Sequence, residues 1–152
     1  MALVMVACGG RAPLAPTVPP AAGGTITATI DGESYRGAVT HVHNSGLRVS
    51  ITSSDEGIGL GLAFDPRLGV SEVGTTTTVL SLVGLPSPGG PQYGIWAAGA
   101  GLGSGRISVT ALAPTAVSGT FEFVARLFET VGSSASDGPV RIVTDGTFDV
   151  TF

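Results

Sequence analysis

The stretch Thr25-Ile26-Thr27-Ala28-Thr29-Ile30 decides the fold. Ile26, Ala28 and Ile30 fall on every second residue, with threonines between them. A repeat of two puts alternate side chains on opposite faces of a strand, one apolar and one hydroxylated. Asp31-Gly32 then spells a tight hairpin turn. The strand after it is expected to carry Tyr35, Gly37, Val39 and His41 on one face. Asn44-Ser45-Gly46 marks a second turn, and Leu47, Val49 and Ile51 begin a third strand. Beyond Asp55-Glu56-Gly57, the residues Ile58, Leu60, Leu62 and Phe64 share a face opposite Gly57, Gly59 and Gly61. Such bare backbone predicts the close approach of another segment, or a sharply bent strand.

The rhythm continues to the last residue. Asp65-Pro66 is a turn whose proline presets φ. Residues 75–83 form a β-branched run, which the prolines of 85–91 must end. Residues 93–98 hold the only tryptophan, Trp96, and 99–105 read as a glycine-rich loop. Ile107, Val109 and Ala111 alternate on one strand, Phe121, Phe123 and Ala125 on another. After a polar loop at 132–139, Phe148, Val150 and Phe152 close the chain. About nine strands and no amphipathic helix predict a single all-β, antiparallel domain over 25–152, a β-sandwich or a meander β-barrel.

Composition agrees. The 152 residues suffice for one domain with its own core. Charged residues are 12% and the formal net charge is −4. All seven basic residues are scattered arginines, which excludes the clustered positive charge that nucleic acid requires. The single cysteine excludes an internal disulfide and a cysteine-rich zinc site.

That cysteine sits in Met5-Val6-Ala7-Cys8, which resembles the lipobox of bacterial lipoproteins. The resemblance implies cleavage before Cys8 and attachment of diacylglycerol to its sulfur. Residues 1–7 are then the remnant of a signal peptide. They are shorter than a complete one and carry no Lys or Arg, so the start of the reading frame is expected upstream. Residues 8–24 become the lipid-attachment site and a disordered, Pro/Ala/Gly-rich tether, which proline keeps extended. A second resemblance lies in Thr27-Ala-Thr-Ile-Asp-Gly-Glu-Ser-Tyr35, Arg106-Ile-Ser-Val-Thr110, Val117-Ser-Gly-Thr-Phe-Glu-Phe-Val-Ala125 and Val143-Thr-Asp-Gly-Thr-Phe-Asp-Val-Thr-Phe152. This layout is similar to a group of small all-β bacterial lipoproteins of uncharacterised function. It implies the cell envelope as location, on the periplasmic side or at the outer membrane, and no known reaction.

Chemistry-bearing residues are few. His41 and His43, two apart on a strand, project from one face and are the candidate metal ligands, with Asp55 or Glu56 as a third. Serines are plentiful, but no Gly-x-Ser-x-Gly elbow precedes a helix. The Asp-Gly pairs are hairpin spellings, and no Asp-x-Asp-x-Asp-Gly calcium loop occurs. Tyr93 and Trp96 are the candidate ligand-binding aromatics. The leading expectation is a non-enzymatic binding or structural domain without cofactor, anchored to a membrane by its lipid. Its partner is a protein, a glycan or a small apolar ligand. The alternative is a metal-dependent factor or hydrolase using the His41/His43 face.

Overall fold

The computed structural model describes residues 23–73, 78–86, 93–99, 101–128 and 140–152. Ten strands and no helix occur among them: β1 (Gly23–Ile30), β2 (Glu33–Asn44), β3 (Val49–Asp55), β4 (Ile58–Phe64), β5 (Gly69–Glu72), β6 (Val79–Pro86), β7 (Tyr93–Ala98), β8 (Ser104–Ala113), β9 (Ala116–Phe128) and β10 (Val140–Thr151). All pairings are antiparallel. Neighbours run β1, β2, β3, β4, β6, β7, β9, β10, and β10 pairs with β1 again, closing a barrel of eight strands. Closure removes the free edges that an open sheet must protect.

Strand β9 makes the closure possible through its length. One edge pairs with β10 from Ala116 to Arg126. The other edge is shared: β8 takes Ala116–Val124 and β7 takes Arg126–Phe128. The chain passes from β7 to β8 through a small bridge, in which the Gly99 amide donates to the Leu102 carbonyl at 2.7 Å and the reverse bond spans 3.0 Å. β5 adds to the free edge of β8, and the inward side chains of these two strands, Ser71, Ile107 and Val109, are buried on the core side of the same sheet.

The turns form as the sequence dictates. Asp31 and Gly32 have φ of 51° and 89°, and Glu56 and Gly57 have 46° and 89°. Two successive positive φ values define the hairpin turn whose twist matches its strands. At the third turn Asn44 Oδ1 accepts from the Gly46 amide at 2.8 Å, the side-chain mimic of a backbone turn.

Two-residue alternation sends one face of each strand inward. Trp96, Phe64, Phe148, Ile26, Leu60 and Leu82 are fully buried. Phe148 lies at the centre of the aromatic packing, with ring centroids 5.4 Å from Phe64 and 6.4 Å from Phe121. A barrel of eight strands has an interior just wide enough for side chains to fill, and here large aromatic and aliphatic groups occupy it. Leu47, expected on the third strand, lies before β3 and is exposed, and Ala111 is exposed instead of sharing the face of Ile107 and Val109, because β8 shifts register between Val109 and Ala111. β2 shifts register between Val39 and His41, and β10 between Val143 and Gly146. The extra residue at Thr40 turns His41 outward, away from the face of Tyr35 and Gly37, and turns Val42 toward the core.

Opposite the inward face of β4, Gly59 and Gly61 do leave room for close approach. A Cβ on Gly59 would lie 2.5 Å from Val83 Cγ2, and one on Gly61 2.5 Å from Ser81 Oγ. The approaching groups are the side chains of β6, lying across β4.

Candidate functional site

His41 and His43 are both exposed on the outside of β2, opposite Thr52 and Ser50 of β3. Neither imidazole has a hydrogen-bond partner among the described residues. No group of three His, Cys, Asp or Glu side chains there is placed to hold a metal ion. Asp55 and Glu56 sit at the far end of β3, in the turn to β4, while the histidines pair with its first half. The structure therefore brings the two histidines together but no third ligand to them.

Trp96 is in the barrel interior with none of its surface exposed. It fills the core near the end that carries the 31–32 and 56–57 turns. The guanidinium of Arg141 stacks over its ring, with Cζ 4.7 Å from the centroid. Arg141 precedes Val143 by two residues, so it shares that residue's inward face and lies across the barrel end. Its Nη1 donates to Asp31 Oδ2 at 2.8 Å, and the Ile142 amide donates to Asp31 Oδ1 at 2.9 Å. The β1–β2 turn is thus clasped to the start of β10 over the indole. The indole Nε1 is buried without an acceptor among the described residues. The sequence reading singled out Trp96 and missed Arg141 and Asp31, although the spacing of Arg141 to Val143 carries the signal. The side chain of Tyr93, and Cys8 with residues 9–22, lie outside the described residues, while the last two residues of the expected 8–24 tether, Gly23 and Gly24, belong to β1.

A second buried polar contact joins Tyr35 to Ser53, hydroxyl to hydroxyl at 2.9 Å. Burial pushes the Tyr35 phenol above its ordinary value of 10.0, and the Asp55 carboxylate adds to the rise. The hydrogen bonds to Ser53 and to the Leu60 backbone pull the other way.

A concave surface bounded by described residues lies on the outer face of the sheet formed by β5, β8, β9 and β10. It is a groove of about 510 Å³, within the range typical of ligand sites. Register builds its floor: Ser108 of β8 pairs with Thr120 of β9, and Thr120 pairs with Thr147 of β10. The row continues to Thr27 of β1, whose hydroxyl meets that of Thr147 at 2.7 Å. One row over, Arg106 Nη2 contacts Glu122 Oε1 at 2.9 Å, with both side chains at least half exposed. Asp145 borders that row from the β10 bulge, at a φ of 52°, and Val70 of β5, paired with Ser108, stands exposed at the other end of the floor row. Bulges next to sites commonly aim a side chain in this way. Sequence reasoning did not find the groove, because its residues come from four strands and meet only through register.

A different outer surface is apolar. Val83, Ile95 and Phe128 lie in one cross-strand row of β6, β7 and β9, each 40% or more exposed.

No family model, no curated protein and no solved structure matches this chain.

Proposed function

We propose that this chain is an exported lipoprotein, anchored to a membrane of the cell envelope through Cys8, whose barrel is a non-enzymatic binding module working through its outer surface. The filled interior carries the second half of this reading. Ring and branched side chains occupy the space in which a barrel of this size would otherwise hold a small ligand, so recognition falls to the outside.

The anchor reading rests on Met5-Val6-Ala7-Cys8 and the proline-rich stretch after it. The fold suits a tether entering at this end. β1 is hydrogen-bonded to β10 on one edge and to β2 on the other, beginning with Gly23 opposite Thr151. Two ladders therefore resist a pull transmitted from the amino-terminal side. For the alternative, a metal-dependent factor or hydrolase, His41 and His43 offer two exposed imidazoles without a third ligand or a hydrogen-bonded acid among the described residues.

The test is intact-mass analysis of membrane-fraction protein, expressed in a bacterial host with the upstream reading frame. The expected product begins at Cys8 and carries diacylglycerol and an amide-linked acyl chain, and Cys8→Ala moves the protein to the soluble fraction. An unmodified, soluble Cys8 overturns the anchor.

A further inference from the structure

We infer that the groove on the outer face of the sheet formed by β5, β8, β9 and β10 is a binding site for a neutral oligosaccharide. The inference deepens the proposed binding role and rests on it.

Its chemistry narrows the ligand. The floor is a row of hydroxyls, Ser108, Thr120 and Thr147, each able to donate and to accept. The adjoining row offers a guanidinium with donors only and carboxylates with acceptors only, at Arg106, Glu122 and Asp145. Two carboxylates against one guanidinium leave the groove net negative, which repels phosphate, nucleic acid and acidic glycans. The apolar lining is the exposed Val70 and, against Gly146, the edge of the largely buried Phe121 ring, too little for an amphipathic helix or an acyl chain, which need a continuous apolar surface. A neutral sugar chain fits the remainder. Its hydroxyls alternate donor and acceptor as the floor does, its vicinal pairs match a carboxylate or guanidinium edge, and its C–H faces need only a modest apolar contact.

The binding groups are also held in place. Pairing in the β8–β9–β10 sheet fixes the floor residues, and the Arg106–Glu122 pair orients both charged groups before a ligand arrives. Preorganisation of this kind lowers the entropy lost on binding. The groove is open to solvent, so each hydrogen bond competes with water and the affinity falls near the millimolar range.

The experiment is an amide-resolved NMR titration of the 152-residue chain with maltohexaose, cellohexaose and fully N-acetylated chitohexaose in turn, and with polygalacturonate as the acidic comparison. The expected result is saturable shifts with at least one neutral hexaose, centred on residues 106–108, 120–122 and 145–147. Glu122→Gln and Thr120→Val should each weaken that binding, about tenfold for Glu122→Gln, the factor that loss of one charge-assisted hydrogen bond brings. Both positions are exposed, so unchanged thermal unfolding verifies that the variants fold. Absence of shifts with all three hexaoses at 10 mM (about ten times the expected dissociation constant), shifts centred elsewhere, or preference for polygalacturonate overturns the inference. Mass analysis of the hexaose after incubation separates the two levels. Intact sugar with groove shifts supports both, whereas cleaved sugar keeps the site and overturns the non-enzymatic reading.

Discussion

Replacing Gly37 with alanine should destabilise the protein, against the usual effect of that substitution. Gly37 lies on the inward face of β2 at a φ open to any residue, where a methyl group normally gains about 0.4–1 kcal/mol through the unfolded chain. Here the space is taken. The Tyr35 ring folds over Gly37 to reach Ser53, so an added Cβ would overlap the phenol oxygen and sit 2.7 Å from Cζ. Favourable contacts between such atoms begin near 3.5 Å, so the phenol must leave. Its departure breaks the buried Tyr35–Ser53 hydrogen bond and leaves Ser53 Oγ with only a long bond, 3.4 Å, to the Leu60 carbonyl. An unsatisfied buried hydroxyl costs about 1–3 kcal/mol, and overpacking adds about 1–3 kcal/mol. The net loss is about 1–6 kcal/mol after the backbone gain, a sizeable part of a typical domain's stability. Urea unfolding followed by Trp96 emission and far-ultraviolet circular dichroism measures it. In a Tyr35→Ala background the same Gly37→Ala change should cost almost nothing, because the obstructing ring is gone. A Gly37→Ala protein as stable as the parent would refute the placement of the phenol.

Three further outcomes follow from the same packing. The Tyr35 pKa is raised in the folded state, so its contribution is complete below pH 10.0 and is lost as pH climbs from there through the folded value. The urea midpoint should therefore drop above pH 10 in the parent, and Tyr35→Phe, though less stable at neutral pH, should lack that part of the decline. Phe148→Ala removes the central ring of the aromatic cluster and should cost about 3–5 kcal/mol, read as a lowered melting temperature. Asp31→Asn, which keeps a residue suited to the positive φ of that turn, weakens the clasp with Arg141; a loss of about 1–2 kcal/mol is expected, together with a shift in Trp96 emission, since Arg141 stacks on that ring.

The inward and outward faces of most strands were legible because a period of two is enforced wherever one face meets a core. Ile26, Leu60, Phe121 and Phe148 all point where alternation placed them. The rhythm broke at Thr40, at Thr110 and after Val143, where an extra residue in one strand has no spelling of its own. Ten strands rather than about nine emerge because β5, only four residues long, lay hidden between a turn and a threonine run. Closure was an open alternative in the sequence, since it depends on β9 serving two neighbours along one edge. The groove was illegible for the same reason. Thr120 and Thr147 are ordinary outward threonines until register sets them side by side, and Ser108 joins them only once β8 is laid on β9. Trp96 stood out by being unique, yet rarity alone did not distinguish a binding surface from a core position.

Acrylamide quenching of Trp96 emission tests the filled barrel most directly, because a single tryptophan gives a single signal. A ring sealed inside the barrel predicts blue-shifted emission and slow quenching until the protein unfolds. Emission at the wavelength of free indole, quenched at the rate of an exposed ring in the native protein, would mean that the interior is open and that recognition need not lie on the outside.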